Sequence, residues 1–494
     1  YKGWRGSDEF CAYYPFHPYQ FDLFQRAIEQ LSRHEAFTGR HTAVGERSML
    51  AVFQEVAKTL REAEVGSLAA FDLMFDGITA SLRGDLQTSV RQAERQLDDP
   101  VAIRLLNALF LLKWVRKFQP TPRNVAILLI DRPDLDIQRH EQAVRGALDL
   151  LEGQSWLQRN GECYEFLTDA EKDIEVEIKN TDIDESQLIR LLAEILFGDV
   201  LRDPKIRYDN NGQDYPYARR LDDQLIGKDA DLALHLITPD HSHHGDLFTL
   251  AAQSTGKAEL LAVLPADLRL IDDARLWLKT QKYIQQNSGG GVDETRRAIL
   301  TQRGQQNSTR RTALRDLGAD LLSKAALYLN GSRLADIGER EPRNRFAKAG
   351  QALIAFAYPN LRMLRSTYDE TTLSKALLDP DDLLAGGQST LSEAEQEVLT
   401  YVMRNQHNGE RTSVQGIVRQ FGRRPHGWYS LAVLTLIARL FRMNKVELRA
   451  ADLLDARAAL EALKNSRQHG GIQVRLQEQF DPAQGWPLSS ASIR

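Results

Sequence analysis

The residues with chemistry in their spacing lie near the end of the chain. Between 404 and 449 nine cations (Arg404, Arg411, Arg419, Arg423, Arg424, Arg439, Arg442, Lys445 and Arg449) stand against two carboxylates, Glu410 and Glu447. Clustered positive charge of this kind neutralises phosphates. In a helix-turn-helix, the start of the recognition helix meets base edges while flanking groups meet phosphates. That places Arg419, Arg423 and Arg424 on phosphates, with His426, Trp428 and Tyr429 at the groove end and Lys445 in the same cluster. Double-stranded DNA is the partner implied. The competing reading makes Trp428 a core anchor and turns the arginines towards solvent or a protein.

A nucleotide loop needs GxxxxGK[ST], whose backbone amides and lysine hold phosphates, and none is present. The nearest dipeptide, Gly256-Lys257, lacks the first glycine and falls in an expected turn. No catalytic residue is therefore assigned, and the chain alone is not expected to hydrolyse ATP. Arg47, in Gly45-Glu46-Arg47-Ser48-Met49-Leu50, lies about 160° from the apolar stripe of its helix. It is free to reach a phosphate, or else is a solvated arginine near a helix start. The stretch Asp240-His241-Ser242-His243-His244-Gly245-Asp246 has side chains that suit zinc, but it lacks distant ligands. It reads as a polar turn, and no metal site is assigned. The arginine-rich run 296–315 reads as the charged outer face of a long helix.

The 494 residues exceed the roughly 250–300 at which one hydrophobic core stops growing, so several modules are expected. With 42% hydrophobic and 27% charged residues the bulk is globular rather than disordered. A formal charge of −5 gives no overall attraction to polyanions. Cys11 and Cys163 are too few for a disulfide framework and suit a reducing compartment. No run approaches the roughly 18–20 apolar residues of a membrane helix, so a cytoplasmic protein without a membrane partner is expected. The chain starts at Tyr1 without a methionine and is read as part of something longer.

Periodicity gives a mainly α, multi-domain plan. A bundle of about four helices is expected over 1–98. Three helices and an Asn160-Gly161 hairpin, a winged-helix order, follow over 99–180. An antiparallel sheet with one helix is expected over 181–266, with strands at 205–208, 217–226, 231–237, 247–252 and 259–264. A long helical hairpin (267–335) and a helical connector (336–390) come next. A second winged helix (391–455) and a C-terminal tail (456–494) complete the order.

Gly45-Glu46-Arg47-Ser48 resembles the second-sensor motif of AAA+ lids, in which an arginine reaches the γ-phosphate held by a neighbouring core; a winged helix often follows such a lid. Together with Tyr14-Pro15-Phe16-His17-Pro18-Tyr19-Gln20-Phe21 and Pro425-His426-Gly427-Trp428, it is similar to the BrxC/PglY-like P-loop proteins of BREX and Pgl phage-defence systems. The resemblance implies an ATPase whose Walker motifs lie upstream of Tyr1, with ATP and Mg in the full-length parent and none in this portion. It also implies a homo-oligomer through the ATPase core, and a methyltransferase and a phosphatase-like protein as partners. Only Arg47 carries over, as a nucleotide-binding position. A winged-helix DNA-binding regulator without nucleotide dependence, and a metal-dependent hydrolase using His241, His243 and His244, are the alternatives.

Overall fold

The computed structural model describes residues 4–38, 46–289, 294–335, 337–379 and 391–477. Within them the chain divides into two compact units, one from residues 1–188 and 269–316, the other from 189–268 and 317–494. Among the described residues the secondary structure is mainly helical, with one mixed seven-stranded sheet and two two-stranded ribbons.

The first unit opens with α1 (Ser7–Tyr13), α2 (Pro18–Arg33) and α3 (Glu46–Thr59). Pro18 starts α2, where its missing N–H is no loss, and His17 and Gln20 exchange capping bonds. The buried stripes Leu23, Phe24, Ile28, Leu31 and Val52, Phe53, Val56 face one core. A 3-10 turn at Phe71–Met74 and the short α4 (Asp76–Thr79) follow, before α5 (Gly84–Gln96). Then come α6 (Pro100–Leu112), α7 (Pro122–Leu128), α8 (Ile137–Gly153) and the ribbon of β1 (Leu157–Asn160) and β2 (Cys163–Phe166), paired from Leu157↔Phe166 to Asn160↔Cys163.

One hydrophobic core extends from Phe16 to Phe166. The boundary expected between 98 and 99 is therefore no break in packing, because α6 is buried on most of its circumference and serves both sides. Arg104 on α6 ties the same region. It donates to Asp72 at 2.9 Å, Asp131 at 3.0 Å and the Leu129 carbonyl at 3.1 Å.

Helices α9 (Asp169–Lys179) and α10 (Glu185–Ala193) follow, α10 passing into a wide π turn at Glu194–Leu201. The sheet then begins with β3 (Lys205–Tyr208), β4 (Gln213–Leu221), β5 (Gln224–Ile226), β6 (Leu232–Ile237), α11 (Leu247–Gln253) and β7 (Glu259–Val263). The sheet is not antiparallel throughout: β6 lies parallel to β4 and to β7. Its central strands are near-continuously buried, as parallel strands covered on both faces are, so period-two alternation does not describe them. The strand expected at 247–252 is α11, a helix started by Asp246, whose carboxylate accepts from the Thr249 N–H at 3.0 Å. That helix is the crossover that lets β6 and β7 run parallel.

Helices α12 (Arg269–Asn287) and α13 (Glu294–Lys324) come next. Within the first unit they pack with reversed order, Tyr283 and Ile284 against Ile299 and Leu300, while Asn307 donates to the Trp277 carbonyl. The arginine run of α13 is a solvated face only in part, at Arg297 and Arg315. Arg303 and Arg310 are 3% and 4% exposed. Arg310 donates to Asn307, to the Arg159 carbonyl and to Asn160, and Arg296 to Glu177 and Tyr283. The β1–β2 ribbon is thereby held by α13 and, through Arg159 and Asp273, by α12.

The span expected to stay helical to 335 ends in β8 (Ala326–Leu329) and β9 (Ser332–Arg333), which extend the sheet to the order β3-β4-β6-β7-β8-β9 with β5 on β4. Helix α14 (Pro342–Ala357) lies on β3, where Gly350 leaves no room for a Cβ against Ile206. The chain continues with α15 (Glu370–Leu378), α16 (Glu393–His407), α17 (Val414–Phe421), α18 (Ser430–Arg442), β10 (Val446–Arg449), α19 (Ala456–Lys464) and β11 (Gln473–Leu476). Residues 456–476, expected as a tail, are structured: β11 pairs antiparallel with β10, and Ala459, Ala462 and Leu463 of α19 are buried.

Candidate nucleic-acid interface

Ser413 caps α17 by accepting from the Gly416 N–H at 3.1 Å. Val414, Ile417 and Phe421 form its buried face, which leaves Arg419 on the opposite, exposed one. The chain then reverses tightly. The Gly422 N–H donates to Val418, the His426 and Gly427 N–H groups to Arg423, and the Trp428 N–H to Phe421. Arg423 and Arg424 project from this turn, exposed, and Lys445 is exposed in the turn after α18. Among the described residues, Arg419, Arg423, Arg424 and Lys445 make no side-chain hydrogen bond or ion pair. Arg439 and Arg449 differ. Arg439 sits 3.9 Å from Glu395 and over the Tyr368 ring, and Arg449 pairs with Glu447 at 2.8 Å.

Two of the side chains expected at the groove end lie in the core instead. Trp428 is 2% exposed, stacks on Phe421 and donates from its indole N–H to the Asn360 carbonyl at 3.0 Å. His426 packs edge-on against Phe421 and Trp428 and lies 3.3 Å from the Asn360 amide. Burial pushes its imidazole below the ordinary histidine range, with Glu397 pulling the other way. These rings have no free face for a base because the turn needs them as its floor. Gly427 fits here at φ +64°, where a Cβ would stand 2.4 Å from the Tyr358 ring.

Helix α18 is the larger surprise. Residues Ala432 to Ala438 and Leu440 are buried, enclosed by α15, α16, α17, α19 and β10. Ser430, Leu431, Arg439, Phe441 and Arg442 reach the surface at its ends, but the enclosed middle from Ala432 to Ala438 presents no polar face to the edges of bases. What remains at this surface is a set of exposed cations with no side-chain partner among the described residues; such cations suit phosphates, which carry no sequence information.

The other residues singled out by sequence fall elsewhere. Arg47 lies in the first turn of α3, and its side chain is outside the described residues. His241 accepts from the His243 N–H and faces Asp223, while His244 contacts the Leu264 carbonyl. These contacts order the loop, and among the described residues no group of three or more His, Cys, Asp or Glu is placed to hold a metal. The Gly256 N–H donates to Asn330, and Lys257 faces Glu259, so this dipeptide is a turn rather than a phosphate cradle. No helix among the described residues is long and apolar enough to cross a membrane.

Two family models match the sequence. Residues 181–353 match the BREX ATP-binding protein BrxC 4th domain with six-stranded beta sheet, and residues 364–462 match the BREX ATP-binding protein BrxC winged helix-turn-helix domain. The chain belongs to the BrxC family. The first match covers the six strands of the path from β3 to β9. The BrxC winged-helix match begins before α15 and runs into α19, so the helices that enclose α18 belong to that domain. No solved structure matches the chain.

Proposed function

We propose that this BrxC-family chain is a DNA- and partner-binding scaffold of a BREX phage-defence ATPase, not itself catalytic. The observation that carries the DNA reading is the exposure of Arg419, Arg423, Arg424 and Lys445, without an ion-pair partner among the described residues, beside α18, whose middle is buried. Contact is with the duplex backbone and is indifferent to base sequence. Trp428 and His426 support it from beneath. Titrating duplexes of unrelated sequence into the full chain tests this: equal, salt-sensitive affinities agree with it, and a strong preference for one sequence contradicts it.

The same reading gives Arg47 the role of a nucleotide sensor. Support comes from its position about 160° from the buried stripe of α3. On this reading ATP and Mg belong to the full-length parent, and the commitment of Gly256-Lys257 to a turn supports it. Arg47→Ala in that parent is expected to lower ATP turnover with the fold intact, and unchanged turnover would return Arg47 to solvent. A cytoplasmic setting, a BREX methyltransferase and phosphatase-like protein as partners, and oligomerisation through the ATPase core complete the proposal.

A further inference from the structure

A second, separate feature of the unit that holds the sheet is a groove of about 610 Å³. Tyr208 and Asn210 enter it from the end of β3, Arg362 and Arg365 from the turn after α14, and Tyr429 from the start of α18. Among the described residues no carboxylate lines it. Arg362 is exposed and makes no ion pair or side-chain hydrogen bond among the described residues. Among the described residues Arg365 has only Glu393 at 4.0 Å, both well exposed, a separation worth little in water.

Both half-buried tyrosines have tethered hydroxyls. The Tyr429 hydroxyl accepts from the Tyr368 N–H at 2.7 Å, and the Tyr208 hydroxyl accepts from the Asn210 amide at 2.9 Å. A tether at the hydroxyl fixes a ring in advance, so less ordering is needed when something stacks on it. Fixed aromatic rings beside unneutralised arginines are what an unpaired strand requires: the rings take bases, and the guanidinium groups take phosphates. The concavity is too small for a duplex but admits one or two nucleotides. Its lining without carboxylates also argues against a basic peptide.

We propose that this groove binds single-stranded nucleic acid, with bases stacked on Tyr208 and Tyr429 and backbone phosphates held by Arg362 and Arg365. It uses none of the four cations proposed for duplex contact, Arg419, Arg423, Arg424 and Lys445, so the two sites are separable by mutation at those residues. A strand opened from a duplex held at the α17–α18 turn would be its natural occupant.

The test is fluorescence anisotropy of the full chain with a labelled oligothymidine and, separately, a labelled duplex. Arg362→Gln with Arg365→Gln is expected to flatten the plot of log K against log salt for the single strand by about 1.4. Tyr208→Ser is expected to weaken it about tenfold, and both variants should leave duplex affinity unchanged. Arg419→Gln with Arg423→Gln and Arg424→Gln should do the reverse. As a check independent of variant folding, an oligonucleotide carrying 5-bromouracil should photocrosslink to Tyr208 or Tyr429. Absence of single-strand binding at low salt, crosslinks elsewhere, or an affinity insensitive to these substitutions would overturn the proposal, whatever the duplex result.

Discussion

Trp428 stacks on Phe421 with ring centroids 4.8 Å apart and 9° between planes. The stack closes the turn between α17 and α18 and fixes where Arg423 and Arg424 emerge. Trp428→Ala is expected to destabilise this unit by about 3–5 kcal/mol. Trp428→Phe, which keeps a ring on Phe421, should cost less and leave duplex affinity unchanged. Urea unfolding of both variants, followed by DNA titration of the folded one, checks this. A loss of DNA binding in a fully folded Trp428→Phe protein would make the indole a contact after all.

Gly427 is required for two reasons that act together, its φ of +64° and the Tyr358 ring against its Hα. Gly427→Ala should cost about 2 kcal/mol or more. Relieving the clash with Tyr358→Leu in the same chain should recover part of that. Equal losses in the single and double variants would assign the whole cost to backbone strain.

His426 gives the winged-helix domain an acid sensitivity. Its folded-state pKa is below its unfolded value because burial disfavours the charged ring. Between the two values the unfolded chain binds more protons, so stability rises with pH there. Its contribution is complete above the ordinary histidine value of 6.5 and is lost as pH falls below it. The expected observation is that His426→Asn shrinks the stability difference between pH 7.5 and 5.5. An unchanged difference would place the acid sensitivity elsewhere.

Arg310 holds the β1–β2 ribbon from α13 through Asn160 and the Arg159 carbonyl. Arg310→Ala strands these acceptors and should destabilise the first unit by about 3–5 kcal/mol, as loss of one partner from a buried polar network does. Amide exchange should quicken in residues 157–166. Unaltered exchange there would show that the ribbon does not depend on α13.

The helices and the ribbon hairpin were readable because amphipathic stripes and an Asn-Gly turn are local signals. The parallel strands were not, since β6 and β7 are apolar without alternation and their pairing is decided by the crossover through α11. The capping pattern Asp246 to Thr249 was the local sign of that helix. The inward arginines of α13 also had a signal, the seven-residue spacing of Arg296, Arg303 and Arg310 in register with Leu300, Asn307 and Leu314, which marks one stripe of a helix. At the candidate interface, charge counting found Arg419, Arg423 and Arg424. It did not show that α15 and α19 enclose α18, and it passed over Arg362 and Arg365, which reach Tyr208 and Tyr429 only through tertiary folding.

Duplex binding measured against salt concentration, for the chain and for Arg419→Gln with Arg423→Gln and Arg424→Gln, tests the central claim most directly. If these three arginines each neutralise a phosphate, the slope of log K against log salt becomes shallower by about 2.7, and duplexes of unrelated sequence bind alike. An unchanged slope in the folded triple variant, or no duplex binding at low salt, would contradict the account.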